Sequence, residues 1–227
     1  MIAARSRSHG VKSIIIFNRK CALSSSTKGS SGDFRRAATM KWVDTIVIQQ
    51  KLCPFAPPVR DAPHLRIKIS EATSHDEIIA EIGREAHLLV GEFDPISPIV
   101  ERPKTTLVVL DEEKCPSLCD FRDLVRLSWR VQEEAINKYS YTEDLQQVLF
   151  HPQASHDTYA ERSDDDAADY TIRSPFPTIH LLREVDVMNA VTSGYPDLEG
   201  IPSRNKKKMR QDEIEVCARR LYVCKEL

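Results

Sequence analysis

Between Phe150 and Glu184 the chain gathers side chains that bind anions or metals and move protons: His151, His156, His180, Arg162, Arg173, Arg183 and the run Asp164-Asp165-Asp166. Three chemistries are open to such a set. Guanidinium groups at Arg173 and Arg183 can hold a carboxylate or phosphate through paired N–H donors. An imidazole at His151 or His180 can exchange a proton near neutral pH. Consecutive acids such as Asp165 and Asp166, together with His151, can ligate a divalent cation. Each has a structural competitor. The ring nitrogens of His151 can cap a strand, the arginines can pair with Asp164, Asp165 and Asp166 in a lattice that fixes the loop, and a triple Asp can be solvated. His156, in mid-loop among polar residues, reads as solvated.

The thiol of Cys53 is a further nucleophile candidate, with a packed core thiol as the alternative. It follows the first expected helix, where the negative end of the helix dipole raises a thiol pKa. A catalytic role therefore requires a neighbouring Arg or His, and His151 and His180 are the choices. Cys21, Cys53, Cys115, Cys119, Cys217 and Cys224 lack the dense spacing of a secreted disulfide scaffold, so free thiols are expected. Cys115 and Cys119 stand one residue wider than a zinc knuckle and no second pair follows.

The elements that must position these groups follow from periodicity. Apolar residues at Met40, Val43, Ile46 and Val47 predict a helix over 37–52, ended by Pro54. Leu65 to Ile69 alternates apolar and basic residues, the mark of a half-buried strand. Ser74 and Glu77 have capping-box spacing ahead of a stripe through Ile78, Ile82 and Leu89, which predicts a helix to about Gly91. Thr105 to Leu110 is apolar on consecutive positions, as in a strand covered on both faces. A third helix is expected over 117–138, and a third strand over 146–150 that Pro152 closes.

Thr178 to about Ser193 reads as a helix or two short ones, stopped at Gly194, with His180, Arg183 and Glu184 able to share a helix face. With Arg173 and the free N–H groups of its first turn, that helix would make an anion site. Pro202 to the C-terminus reads as one long amphipathic helix, with Cys217 and Cys224 packed on its apolar stripe. The alternation of strands and helices predicts an α/β domain, a sheet of three or more strands covered by helices, with a ferredoxin-like α+β arrangement as the alternative. Strand three then delivers His151 to the carboxyl edge of the sheet, where ligands of open α/β sheets bind.

Composition sets the outer limits. The first 39 residues hold eight basic side chains, eight serines and a single acid, Asp33, the make-up of an organelle transit peptide. Residues 1–36 are expected to be a disordered presequence, mitochondrial first and plastid second, and residues 37–227 one domain. A disordered basic tail that stays attached is the alternative. Without the first 39 residues the chain carries about −9 net charge, which argues against nucleic acid and anionic membranes as partners. No stretch approaches the roughly 20 apolar residues of a membrane span.

Leu52-Cys53-Pro54-Phe55-Ala56, Phe150-His151-Pro152, Asp165-Asp166 with Tyr170-Thr171, Arg173-Ser174-Pro175-Phe176-Pro177, His180-Leu181-Leu182-Arg183-Glu184 and Pro202-Ser203-Arg204-Asn205 occur here in that order. From about Ala38 to Arg210 the chain thereby resembles the domain-of-unknown-function family numbered 1415. The resemblance sharpens the residue list without naming a reaction or a cofactor. It also exposes two departures: the family pattern has Asn where this chain has Lys51 and Ile172, so any contact made by those amides is missing.

The residues point first to a small organellar enzyme acting on a phosphate- or carboxylate-bearing metabolite. Arg173 and Arg183 would hold the anion, Ser174 and Tyr170 would contact the ligand, His151 or His180 would serve as acid or base, and Cys53 would lie near the cleft. Its rivals are a non-catalytic binding or assembly module and a metal-dependent hydrolase built on Asp165, Asp166 and His151. The enzymatic reading requires Cys53, His151, Arg173 and His180 to meet in one pocket.

Overall fold

Alternation along Leu65–Ile69 (β1) sends Ile67 and Ile69 to one face of the sheet and Arg66 and Lys68 to the other. There the two cations meet Glu85 and Glu81 of the following helix, His75–Val90 (α3), with Arg66 bridging both oxygens of Glu85 at 2.7 and 3.0 Å. The helix starts where the capping box places it. Glu77 N–H donates to Ser74 Oγ at 3.3 Å, and the Glu77 carboxylate accepts from the Thr73 N–H at 2.7 Å. Thr105–Val109 (β2) is buried at every position, as its unbroken apolar run requires. These features come from a computed structural model that describes residues 31–61, 63–90, 102–157, 166–192 and 200–227.

The chain opens on a helix, Ser31–Trp42 (α1), which continues as a wider π-helical turn over Val43–Ile48. The helix already includes Ser31, so the expected boundary at residue 36 falls inside α1. Arg35 is buried: its guanidinium donates to Asp111 at 2.7 Å and Glu112 at 2.9 Å, and its Cζ lies 4.6 Å over the Phe176 ring. Arg36 donates to the Ile67 carbonyl at 2.5 Å. Composition assigned these two cations to a leader, whereas packing makes them part of the fold. The rest of the expected presequence lies outside the described residues.

A short helix Ala56–Val59 (α2) precedes β1. Phe121–Val131 (α4) begins at Asp120, whose side chain accepts from the Arg122 N–H at 2.8 Å, and runs on through a π-helical turn, Gln132–Ile136, to Leu145–Phe150 (β3). The region expected to be helical from Thr178 is a strand, Thr178–Arg183 (β4), followed by a helix, Glu184–Thr192 (α5). The C-terminal segment is two helices, Ile201–Met209 (α6) and Ile214–Val223 (α7), not one.

The four strands form one mixed sheet in the order β1-β2-β4-β3. β1 and β2 are parallel, and β4 lies antiparallel to both β2 and β3. Helices cover both faces, so the domain is α/β. α3, α4 and the turn after it close one face over Val108, Ile179 and Leu181. α1, α6 and α7 close the other over Ile67, Leu107, Val109 and Phe150, with Cys217 and Cys224 buried there as the stripe predicts. No helix among the described residues is long and apolar enough to cross a membrane.

Candidate functional site

Register separates residues that the sequence places side by side. Phe150 pairs with Thr178 at one end of the β3–β4 ladder, and Leu145 pairs with Arg183 at the other. At about 3.4 Å per residue, Arg183 stands roughly 17 Å from Thr178 along the strand. The odd spacing also turns Arg183 and His180 to opposite faces. Arg183 is held by Asp186 at 2.5 Å. The anion site expected from a shared helix face is therefore absent, because pairing on both sides makes this segment a strand.

The histidines have structural partners. His151 is 1% exposed, its Nε2–H donates to the Leu118 carbonyl at 2.8 Å, and its Nδ1 accepts from the Gln153 N–H at 2.9 Å. Both nitrogens are thus committed, and burial holds the ring below its ordinary pKa, in the neutral form. His180 Nε2 lies 2.5 Å from Thr105 Oγ1. That hydroxyl already donates to the Leu181 carbonyl at 2.9 Å, so His180 is the donor and carries its proton on Nε2. Burial pushes its pKa down to about 4. His156 is exposed and reaches Thr171 Oγ1 at 2.9 Å.

A cavity of about 110 Å³ lies on the second face. Its apolar wall comes from Trp42, Ile46, Val47, Leu52 and Phe150, and its polar wall from Cys53, Tyr170, Thr171, Arg173 and Asn205. Trp42 ties α1 to the polar loop by donating its Nε1–H to the Arg173 carbonyl at 3.1 Å. On the opposite side the chain turns back after the first helix through Lys51, whose φ of 54° is left-handed. This reversal sets Leu52 and Cys53 under α6, where Asn205 Nδ2 donates to the Leu52 carbonyl at 2.6 Å and Lys208 reaches the Gln50 carbonyl.

Arg173 is set from three directions. Its Nε donates to the Ala154 carbonyl at 3.1 Å, its Cζ stacks 4.5 Å over the Tyr170 ring, and Asp169 Oδ2 lies 3.8 Å from Nη2. Asp169 is 2% exposed and is steadied by the His156 N–H at 2.9 Å. Cys53 is half-buried. Burial pushes its thiol pKa up, only partly offset by the N–H groups of Phe55 and Ala56. Those donors belong to the start of α2, so the thiol faces donors as well as the end of the preceding helix.

Of the sequence candidates, Cys53, Tyr170 and Arg173 share the cavity wall. His151, His180, Arg183 and Ser174 are not among its lining. Ser174 donates to the Phe176 carbonyl at 2.6 Å and braces its own loop. His180 stands one ring away, 6.1 Å from Phe150. Asp166 caps the turn Ala167–Thr171 through the Ala168 N–H and pairs with Arg210 at 2.6 Å. Asp165 lies outside the described residues. Among those residues no group of three or more His, Cys, Asp or Glu side chains is placed to hold a metal.

Asn205, Thr171, Trp42 and Phe150 were not singled out as site residues. Asn205 carried a signal: an amide four residues before Met209 shares the inward face of α6, where a polar side chain needs a partner. Lys51 and Ile172 also resolve. Lys51 occupies a left-handed position that Asn tolerates well, which is a conformational reason for an amide there. Ile172 packs against the core of the other face, away from the cavity.

A family profile described as "Protein of unknown function (DUF1415)" matches residues 35–219. The match begins at the buried Arg35. No curated protein and no solved structure matches the chain.

Proposed function

Because the chain belongs to the DUF1415 family, whose motifs in this sequence supply Cys53, Phe150, Tyr170, Thr171, Arg173 and Asn205, we propose that their shared cavity binds a small anionic metabolite with Arg173 as its anchor. The observation that carries this reading is convergence. Segments as far apart as Leu52-Cys53 and Asn205 contribute to one wall, and packing alone does not require a guanidinium, an amide and a thiol around a void. Arg173 is fixed through Nε and its stacking face, so a ligand meets a preoriented cation and loses little entropy in forming the contact.

The reading is of binding first. Neither His151 nor His180 belongs to the cavity wall, so acid–base work by these rings forms no part of it. Cys53 brings a thiol to the wall, and its raised pKa keeps it neutral. A leader-like composition in residues 1–30 supports an organellar setting, mitochondrial before plastid. Fusion of these residues to a fluorescent reporter checks that part; a reporter that stays cytosolic removes it.

Trp42 supplies the readout for binding. The chain has two tryptophans, and Trp129 is 61% exposed and outside the cavity, so Trp129→Phe leaves Trp42 as the reporting fluorophore. Titration with inorganic phosphate and with acetate is expected to give a saturable change for at least one anion. Arg173→Gln is expected to weaken it at least tenfold. A folded protein whose Trp42 emission responds to neither anion rules the site out.

A further inference from the structure

At about 110 Å³ the cavity is well below the roughly 300 Å³ at which ordinary metabolite pockets begin. A ligand held there leaves its larger part outside, a consequence that rests on the binding reading above. What lies outside, on the helix that roofs the wall, is cationic. α6 carries Arg204, Lys206, Lys207 and Lys208 within five consecutive positions, with the buried Asn205 between them.

Two contacts orient this helix. Asn205 donates to the Leu52 carbonyl at 2.6 Å and Lys208 reaches the Gln50 carbonyl, so the flank bearing Lys208 overhangs the turn that leads into Leu52 and Cys53. Arg204 stands one turn before Lys208 on that flank, and Lys207 adjoins both on the outer face. Lys206 takes the opposite flank, toward His156, whose pKa is lowered by burial and then by this ammonium. Arg60, Arg130, Arg183, Arg220 and, two residues past Lys208, Arg210 each sit on a carboxylate. Among the described residues no carboxylate pairs with Arg204, Lys206, Lys207 or Lys208, in a chain with 34 acidic and 32 basic side chains. Like charges three and four residues apart, as at Arg204 with Lys207 and Lys208, destabilise a helix. Folding does not compensate that repulsion, whereas a bound polyanion relieves it.

The patch is compact, and its size selects the anion. From Arg204 to Lys208 the helix rises about 6 Å, and beyond it stand the neutralised Arg210 and the exposed acids Glu213 and Glu215. An extended acidic peptide spreads its charges at roughly 3.3 Å per residue on alternating sides, over a longer track than this. A chain of two or three phosphates concentrates its charge within the span and offers the oxygens that guanidinium and ammonium groups hold through charge-assisted hydrogen bonds. We propose that α6 docks the diphosphate or triphosphate tail of the ligand whose head enters the cavity, with Arg204, Lys207 and Lys208 as the phosphate-binding residues. The ligand class is thus a polyphosphorylated metabolite with a small head group.

The test is calorimetric titration of the full chain with inorganic phosphate, pyrophosphate, tripolyphosphate and an octaglutamate peptide. Tripolyphosphate is expected to bind about tenfold tighter than phosphate or better, with pyrophosphate between them. Arg204→Gln with Lys207→Gln is expected to weaken tripolyphosphate at least about tenfold; both positions are exposed and Gln is a good helix former, so this variant folds. Arg84→Gln with Lys138→Gln removes two exposed cations from the other face of the sheet and should leave the affinity within about twofold. Tripolyphosphate no tighter than phosphate, or an equal loss in the two double variants, reduces the patch to nonspecific surface charge and overturns the proposal. Octaglutamate binding tighter than tripolyphosphate makes the occupant an acidic protein segment and overturns the phosphate assignment.

Val47→Phe separates tail from head. It fills the cavity from a half-buried position, so it is expected to abolish the Trp42 response of the Trp129→Phe protein to acetate or phosphate while tripolyphosphate binds as before. Loss of tripolyphosphate binding in this variant puts the polyphosphate in the cavity and overturns its place on α6. An intact Trp42 response in a chain that does not bind tripolyphosphate refutes the tail alone and leaves the cavity reading standing. Tripolyphosphate held by Arg204 and Lys207 in a chain whose Trp42 answers neither acetate nor phosphate refutes the cavity reading, and with it the two-part ligand.

Discussion

The two faces of the sheet are closed by different means. Under α3 and α4 the packing is almost wholly aliphatic, with Ile78, Ile82, Leu89, Leu124 and Leu127 at 1% exposure or less. The buried carboxylates there, Glu81 and Glu85, sit at its β1 border and answer Lys68 and Arg66. Under α1, α6 and α7 the core carries Trp42, Tyr170, Phe176 and Met209, together with the Arg35 ion pairs and the cavity. Branched aliphatic side chains interlock at near-crystalline density. Rings and buried polar groups impose directional demands that leave space between them. Among the described residues the first face carries the closer aliphatic packing and the second carries the cavity.

The largest effect expected from this contrast comes from a polar contact on the second face. Removing Arg35, by Arg35→Ala or by a chain that starts at Ala37, leaves the 5%-exposed Asp111 side chain without its cation. Breaking a buried pair on one side costs about 3–5 kcal/mol. Urea unfolding of chains beginning at Ser31 and at Ala37 measures the difference. A gap under about 1 kcal/mol would show that the fold starts after Arg35, as composition alone suggested.

On the first face the comparable loss needs a cavity to be made rather than a charge to be stranded. Leu124→Ala, at a fully buried position, is expected to cost about 3 kcal/mol. Val47→Ala, at the edge of the existing void, is expected to cost about 1 kcal/mol because part of its surroundings is already empty. Equal losses in the two variants, read from chemical denaturation midpoints, would erase the distinction between a close-packed and a loosely packed face.

Acid reaches both faces through their histidines. His151 packs against Phe121 of the first core and His180 against Phe150 of the second. Burial places both folded-state pKa values below the ordinary 6.5. As pH falls below about 6.5 the unfolded chain takes up protons that the folded rings refuse, so stability that is full above that pH declines. For His180 the decline runs to about pH 4 and then stops. Between pH 7 and pH 5 its share is on the order of 2 kcal/mol. His180→Asn should flatten that part of a stability-against-pH curve, and an unchanged slope would remove the neutral-imidazole assignment.

How much of this was readable beforehand depended on the range of the interactions concerned. β1, β2, α3 and the buried stripe of Cys217 and Cys224 follow from local patterns, and they stand where the patterns put them. Thr178–Arg183 is a strand although His180, Arg183 and Glu184 also fit helical spacing. Hydrogen bonding to β2 on one side and β3 on the other decides the matter, and those partners lie far away in the chain. The C-terminal pattern is continuous through Arg210, yet Arg220 pairs with Asp212 within the break, and the two helices direct Asn205 and Cys217 inward separately. Arg173, Tyr170 and Cys53 were found by residue type. The histidines offer less chemistry than their type suggests because burial keeps His151 neutral while the Leu118 carbonyl occupies its Nε2–H, and no spacing rule reveals either.

The smallest effect concerns the turn that carries Cys53 to the cavity. Lys51 has φ 54°, where a side chain with a Cβ crowds its own backbone, and it is exposed, so no packing offsets the strain. Asn adopts this conformation more readily because its short polar side chain can bond locally to the backbone. Lys51→Asn is therefore expected to raise stability by about 0.5 kcal/mol, read as a small rise in denaturation midpoint with an unchanged slope. If the amide instead served as a ligand contact, the same substitution would tighten acetate or phosphate binding while leaving stability unaltered. Lys51→Gly separates the two accounts. It relieves the strained φ without supplying an amide, so the conformational account requires that Gly hold the wild-type stability or exceed it and leave affinity where it was.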